Sequence, residues 1–320
     1  LQLSDNRNPG STFEPGFFFD YCNKHAPQAQ QLMGETMGEG PQGKICLVTG
    51  AGAGLGKAMA IGLARAGAQV IGADVDEAAA ARSGSEAGGK NFMPLRLDVS
   101  DRAQDEAAIE RIVKEFGRID VLVNCAGLNM VIFSKNFLTD LVRFWTVDPD
   151  NWQRLYDVNV RGPFLLARAA APHMIAQKWG RIVNVTTSYS TMMREGNTPY
   201  GQAKAAMEAA SACWAEDLAG TGVTCNVLIP GGAADTAMIP ADAPVDRAKL
   251  VKPEAMISPL AYLASSASDG ITGQRIVARN WKDGARIEDN LAASMSPAAW
   301  PSLAAGASPG APVKGSVVNR

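Results

Sequence analysis

The sequence predicts an α/β fold in which one parallel β-sheet is covered on both faces by helices. Three observations predict it: short apolar runs without polar alternation, segments of helical period between them, and a glycine-rich turn joining the first run to the first helix. A continuous apolar run marks a strand buried on both faces, because a strand with one wet face alternates. Strands that alternate with helices at this spacing require crossover connections, and these place helices on both sides of one sheet.

Residues 1 to 43 lack sustained periodicity and carry one aromatic cluster, Phe17-Phe18-Phe19-Asp20-Tyr21. They read as an N-terminal extension, pinned to the body by its aromatics or serving assembly. Ile45-Cys46-Leu47-Val48 is the first strand and ends in the glycine turn. Met59, Ile61, Leu63 and Ala66 mark a helix that Gly67 breaks. Strands follow at Gln69 to Asp74 and Phe92 to Leu97, then a helix through Ile109, Ile112, Val113 and Phe116, then the strand Val121-Leu122-Val123. A long helix runs from Trp152 to Ile175, a strand from Arg181 to Val185, and a helix from Tyr200 to Leu218. The strand Val223 to Leu228, a helix around Glu254 to Ser265 and a last strand at Arg275 to Ala278 close the series. These elements form one domain over 44–289. Residues 290–320 are rich in Ala, Ser and Pro and read as a flexible or draped tail.

Composition narrows the function. Hydrophobic residues make up 47% and charged residues 19% of the 320, the balance of a globular protein. Lys plus Arg is 30 against 32 Asp plus Glu, which argues against a nucleic-acid partner. No apolar stretch has the length of a membrane span, and the N-terminus lacks a secretory pattern, so the expected location is cytoplasmic. Five scattered cysteines without a CxxC pair fit reduced thiols and give no metal-ligand rhythm, so no metal is expected. Only His25 and His173 are present, both read as structural, which leaves a histidine base without support.

Two constellations carry chemistry. Thr49-Gly50-Ala51-Gly52-Ala53-Gly54-Leu55-Gly56 leads from the first strand into a helix. Glycines there let backbone amides approach a pyrophosphate, and the helix N-terminus adds a positive dipole end. A bare glycine turn is weak evidence, because tight turns need glycine regardless. Asp74 closes the next strand, where a carboxylate accepts from both ribose hydroxyls of an adenosine and repels a 2'-phosphate. No Arg or Lys sits in the turn at Ala51 or Ala53 to receive that phosphate, so the cofactor expected is NAD rather than NADP. The competing reading of Asp74 is a surface cap for the next helix. The second constellation is Tyr200-Gly201-Gln202-Ala203-Lys204. Positions i and i+4 share a helix side, and a nearby ammonium lowers a phenol's pKa toward that of a working base.

Together these motifs resemble the short-chain dehydrogenase/reductase family over roughly residues 44 to 280, in the family's order. The resemblance assigns Gly50, Gly54 and Gly56 to the cofactor turn, with Leu55 between them, and Asp98 beside Val99 to the adenine. It matches Asn124-Cys125-Ala126-Gly127 to the element that supports the sheet and approaches the adenosine ribose. It matches Asn159 to the asparagine of the catalytic helix, Tyr200 and Lys204 to the catalytic pair, and Pro230-Gly231 to the turn that meets the nicotinamide. Ala233 and Thr236 follow as cofactor contacts. An ungapped match puts the catalytic hydroxyl at Thr187, whereas residue type favours Ser188, and adjacent residues leaving a strand point to opposite faces.

The resemblance implies a doubly wound Rossmann fold with a seven-stranded parallel sheet. It also implies oxidation of a secondary alcohol, or reduction of a ketone, by hydride transfer. Tyr200 moves the proton, Lys204 lowers its pKa and holds the nicotinamide ribose, Thr187 or Ser188 holds the substrate oxygen, and Asn159 positions a water that links Lys204 to solvent. A homodimer or homotetramer is the expected assembly. The departures are Cys125 in place of an asparagine and a segment between Gly127 and Asn159 about ten residues longer than the compact pattern. Met130, Phe133, Phe137, Phe144 and Trp145 in that segment form either a substrate-pocket wall or a contact with another subunit. Residues 232 to 252 form a mobile substrate loop, and Met192, Met193 and Met238 near the rim point to a partly apolar alcohol or ketone. The rival readings are an NADP-preferring carbonyl reductase and a non-catalytic dinucleotide-binding or scaffold protein.

Overall fold

The computed structural model describes residues 40–240 and 242–300. The aromatic cluster, Cys22, His25 and most of the N-terminal and C-terminal extensions lie outside them. The strands are β1 (Ile45–Thr49), β2 (Gln69–Asp74), β3 (Phe92–Arg96), β4 (Val121–Asn124), β5 (Gly180–Val185), β6 (Val223–Ile229), β7 (Gln274–Val277) and β8 (Met295–Pro297). They form one sheet in the order β3-β2-β1-β4-β5-β6-β7-β8. Every pair is parallel except β7 and β8, which run antiparallel. The strand order turns back between β1 and β4, and the crevice outside the carboxyl ends of the strands opens there.

The helices are α1 (Gly54–Arg65), α2 (Glu77–Ala87), α3 (Arg102–Phe116), α4 (Pro149–Tyr156), α5 (Gly162–Ala176), α6 (Tyr189–Met192), α7 (Tyr200–Asp217), α8 (Ile257–Leu263) and α9 (Ile287–Ser294). Alternate residues of the apolar strands feed opposite cores. Cys46 and Val48 of β1 pack with Met59, Leu63 and Leu260 on one face. Ile45 and Leu47 pack with Ile71, Ile109, Leu122 and Leu166 on the other. Each fully buried Leu or Ile contributes about 2 kcal/mol, so both faces must be covered for the sheet to persist.

Local chemistry sets the helix ends. Asp101 caps α3 by accepting from the Ala103 and Gln104 amides at 2.9 and 3.3 Å, and Gly117 closes it at φ 75°. Asp148 caps α4 through the Asn151 amide at 2.8 Å, with Pro149 next. Asp76, not Asp74, caps α2 by accepting from the Ala79 amide at 3.0 Å.

Four expectations change. The sheet has eight strands rather than seven, because Met295–Pro297 adds an antiparallel edge strand that no apolar run announces. The boundary drawn at residue 290 therefore falls inside α9, and residues 290–297 are helix and strand rather than a loose tail. The single long helix from Trp152 divides into α4 and α5 around a wider turn at Asp157–Arg161, where the Gly162 amide reaches back to the Asp157 carbonyl. Pro163 has no N–H to give four residues back to Asn159, so the α-helical ladder cannot continue there. His173 is on α5 as expected, but exposed rather than packed. Among the described residues, no helix is long and apolar enough to cross a membrane, and no group of three or more His, Cys, Asp or Glu could hold a metal ion.

Candidate active site

A cavity of about 480 Å³ occupies the crevice at the carboxyl ends of the strands. Its first half is built from the β1–α1 turn. Gly50, Gly54, Leu55 and Gly56 line it, and α1 begins there with no side-chain cap. Gly56 approaches Gly50 so closely that an added Cβ would lie 2.1 Å from the Gly50 carbonyl oxygen. Gly50 has φ 70°, a conformation that L side chains avoid. The turn is thus a bare backbone cradle against a helix N-terminus, which fits an anionic pyrophosphate.

Asp74 lines the same half, at the end of β2. Its carboxylate accepts from the Gly52 amide at 2.9 Å and from the Asp76 amide at 3.0 Å. The competing cap reading fails, because Asp76 performs that task. Asp98 and Val99 also line the cavity, with Asp98 held by the Ser100 amide and hydroxyl at 3.0 and 2.7 Å. Ala126 and Gly127 form the facing wall. Asn124 does not reach the cavity: it is buried in β4, and its amide donates to Asn184 on β5 at 2.8 Å. Cys125, which stands in place of the family's asparagine, lines the cavity.

The second half holds Tyr200, Lys204 and Thr187. Tyr200 opens α7 and Lys204 follows one turn later. The Lys204 ammonium donates to the Val185 carbonyl at 2.8 Å and stands 6.0 Å from the Tyr200 ring centroid. Burial pushes the Tyr200 phenol up to about 12, helped by Cys125 and opposed by a hydrogen bond from Thr187. Burial pushes Lys204 down to about 8. The expected lowering of the phenol by Lys204 is therefore absent from this arrangement: removal of the ring from water outweighs a cation already engaged with a carbonyl.

Between the two candidate hydroxyls the geometry separates clearly. Thr187 lines the cavity, whereas Ser188 caps α6 by accepting from the Thr191 amide at 3.2 Å and meets the Thr191 hydroxyl at 2.7 Å. Asn159 is buried behind the wall rather than in it. Its carboxamide accepts from the Leu128 amide at 2.7 Å and donates to the Leu128 carbonyl at 2.8 Å. These two hydrogen bonds clamp Asn159 to the Leu128 backbone. Gly127 runs between this clamp and Lys204, since a Cβ there would lie 3.3 Å from Asn159 Oδ1 and 3.7 Å from Lys204 Nζ.

Pro230, Ala233 and Thr236 line the cavity, while Gly231 sits behind it against Val277 and Arg279. Thr236 approaches the cofactor turn, because a Cβ on Gly54 would lie 3.2 Å from its methyl. The following segment is anchored rather than free at its base. Asp235 pairs with Arg247 at 2.6 Å and Lys252 at 2.8 Å, which holds its carboxyl below the usual carboxylate range. The long segment after Gly127 divides its aromatics. Met130 and Phe137 line the cavity with Leu138, but Phe144 and Trp145 stand 69% and 70% exposed. Of the rim methionines, Met238 lines the cavity, Met192 is buried and Met193 is exposed. Sequence reasoning missed Arg154, Arg194 and Asn197, which also line it. No motif singles out such residues: a loop brings in Arg194 and Asn197, and Arg154 comes from α4.

Comparison with known proteins follows the same lines. The short chain dehydrogenase family matches residues 44–244. A 3-oxoacyl-[acyl-carrier-protein] reductase of Thermotoga maritima is 34% identical over 249 residues, spanning 73% of this chain and 96% of the relative. The crystal structure of a 3-ketoacyl-(acyl-carrier-protein) reductase from Brucella melitensis complexed with NADH superimposes with TM-score 0.64 at 29% identity, covering 72% of this chain and 95% of that one. A Beutenbergia cavernae protein assigned as an NAD(P)-dependent gluconate 5-dehydrogenase, with NADP at low occupancy, gives TM-score 0.65 at 29% identity, covering 76% and 96%. The chain belongs to the short-chain dehydrogenase/reductase family of oxidoreductases.

Proposed function

We propose that the chain is an NAD-dependent oxidoreductase that interconverts a secondary alcohol and a ketone, with Tyr200 as the acid/base. One observation carries the reading: Tyr200, Lys204 and Thr187 line one end of a cavity whose other end is the glycine cradle and Asp74. A nicotinamide dinucleotide bound along that cavity supplies the hydride donor or acceptor. The Gly50–Gly56 turn would hold its pyrophosphate, Asp74 its adenosine ribose, and Asp98 and Val99 would flank the adenine.

The chain's own groups do the rest. Thr187 donates a hydrogen bond to the substrate oxygen, where negative charge develops. Tyr200 gives that oxygen its proton in reduction and removes it in oxidation. Lys204 places a cation beside this path, and Asn159 holds the Gly127–Leu128 turn that shapes it. Met130, Phe137, Leu138 and Met238 give the substrate end an apolar wall, which suits a partly apolar alcohol or ketone.

Cofactor choice rests on Asp74. Its carboxylate stands at the cavity edge, and Val75 rather than a basic residue follows it, so a 2'-phosphate there meets negative charge. The Beutenbergia neighbour with NADP favours the rival NADP reading. Calorimetric titration decides between them. The wild type is expected to bind NAD at least tenfold more tightly than NADP, and Asp74→Ala to narrow that ratio by about tenfold, about 1.4 kcal/mol. An unchanged ratio in the variant removes Asp74 as the selector.

Assembly as a homodimer or homotetramer belongs to the same reading. Phe164 and Ile175 on α5 stand 47% and 41% exposed, apolar surface that a second copy would cover. Sedimentation equilibrium is expected to show an oligomer, and a monomer at micromolar concentration overturns it. The four described cysteines are free thiols, as a cytoplasmic setting would keep them.

A further inference from the structure

A buried ion pair lies directly behind Thr187. Glu208 is fully buried on α7, two turns beyond Tyr200 and one beyond Lys204, so all three share a helix side. Arg275 on β7 is 4% exposed and donates to the Glu208 carboxylate at 2.6 Å. The same guanidinium forks, and its other end donates to the Thr187 main-chain carbonyl at 2.6 Å. Thr186 donates its hydroxyl to Glu208 at 2.7 Å. The end of the β5 segment is therefore held at two consecutive residues by one buried pair.

The pair also reaches the C-terminal segment. The Tyr189 ring lies under the guanidinium, 4.1 Å away, and its hydroxyl donates to the Ala299 carbonyl at 2.7 Å. The Ala299 amide in turn points at Glu208, at 3.4 Å. Arg275 pairs in register with Ser296 of β8.

Removing two charges from water costs several kcal/mol per ion, and such pairs often stabilise a fold less than apolar residues of the same volume. Fold stability alone thus gives a weak reason for an arginine here. Its planar fork supplies what an apolar residue cannot: two donors at fixed spacing, one to the helix that carries Tyr200 and one to the segment that carries Thr187. We propose that Arg275 and Glu208 are positioning residues, which set the Thr187 hydroxyl against the Tyr200 phenol and tie that alignment to the edge strand β8. The inference rests on the proposed reaction at this site.

Arg275→Lys is the decisive variant, because an ammonium keeps the charge balance with Glu208 but has no rigid fork to hold both partners. With NADH and an aryl alkyl ketone or an acetoacetyl thioester as probes, kcat is expected to fall about tenfold. NADH affinity should stay within about twofold, as the cradle is untouched. If Arg275 acts through Thr187, the loss disappears when the substitution is made in a Thr187→Val background, because coupled residues are not additive. Hydrogen exchange reads the brace without turnover: Arg275→Lys should speed exchange over residues 186–193 and leave residues 50–56 unchanged. A wild type that turns over neither probe counts against the proposed reaction, while the exchange result still decides the brace. Wild-type kcat and exchange in the variant overturn the inference. So does an equal loss in both backgrounds, which would make Arg275 a structural support only.

Discussion

Tyr200→Phe is expected to lower kcat by about a thousandfold, about 4 kcal/mol in the barrier, while NAD affinity stays within about twofold. Only the hydroxyl is lost, so the ring continues to pack and the cradle some distance away is unaffected. Steady-state rates together with calorimetry measure both halves of the expectation. A variant that retains turnover removes Tyr200 as the proton carrier.

The pH dependence follows from the same group. Burial puts the phenol at about 12, so at neutral pH it is protonated and ready to supply the proton for ketone reduction. Oxidation needs the phenolate, whose fraction grows tenfold per pH unit below the phenol's pKa. The expected profile for alcohol oxidation therefore keeps rising from about pH 6 to about pH 9, since the phenol's pKa lies well above that range. Ketone reduction is expected to be level through neutrality. A profile for oxidation that falls between pH 6 and 8 contradicts this assignment.

Thr187→Val carries the second largest expected effect, a loss of about a hundredfold in kcat, against less than about twofold for Ser188→Ala. A single preorganised donor to a developing oxyanion is worth roughly 10²–10³ in rate. Valine is close in shape to threonine, so the loss reports the hydroxyl, although a methyl in place of a polar group also changes local solvation. Ser188 caps α6, and losing a cap costs about 1 kcal/mol of stability. The Ser188 variant should therefore melt lower and still turn over, and the Thr187 variant should do the reverse. Equal losses of kcat in the two variants would mean that both hydroxyls reach the substrate.

Much of this was legible in the sequence, and the exceptions share a physical cause. The inner strands β1 and β4 announce themselves because a strand buried on both faces is largely apolar, as in Ile45-Cys46-Leu47-Val48 and Val121-Leu122-Val123. The edge strand β8 carries no such run, since an edge strand is not buried on both faces and tolerates Pro297. The glycine turn, Asp74 and the Tyr200–Lys204 pair were legible because each needs a particular residue at a particular spacing. Roles that depend on which way a side chain turns were not. Asn124 turns inward to Asn184, Asn159 clamps Leu128, and Ser188 caps a helix, all by hydrogen bonds that spacing alone cannot distinguish. The lowered phenol pKa expected from Tyr-x-x-x-Lys fails for a related reason, because spacing gives proximity but not the cost of burial. The Glu208–Arg275 pair joins residues 67 positions apart, and no local pattern marks it.

The central claim is hydride transfer between a nicotinamide cofactor and a secondary alcohol or its ketone at the Tyr200 site. The most direct test is the initial rate of NADH and NADPH oxidation, followed at 340 nm, against aliphatic, aromatic and cyclic ketones and a 3-oxoacyl thioester. The account predicts turnover of at least one ketone, faster with NADH than with NADPH, and abolished by Tyr200→Phe. No turnover on any of them, with NADH binding intact by calorimetry, would contradict it.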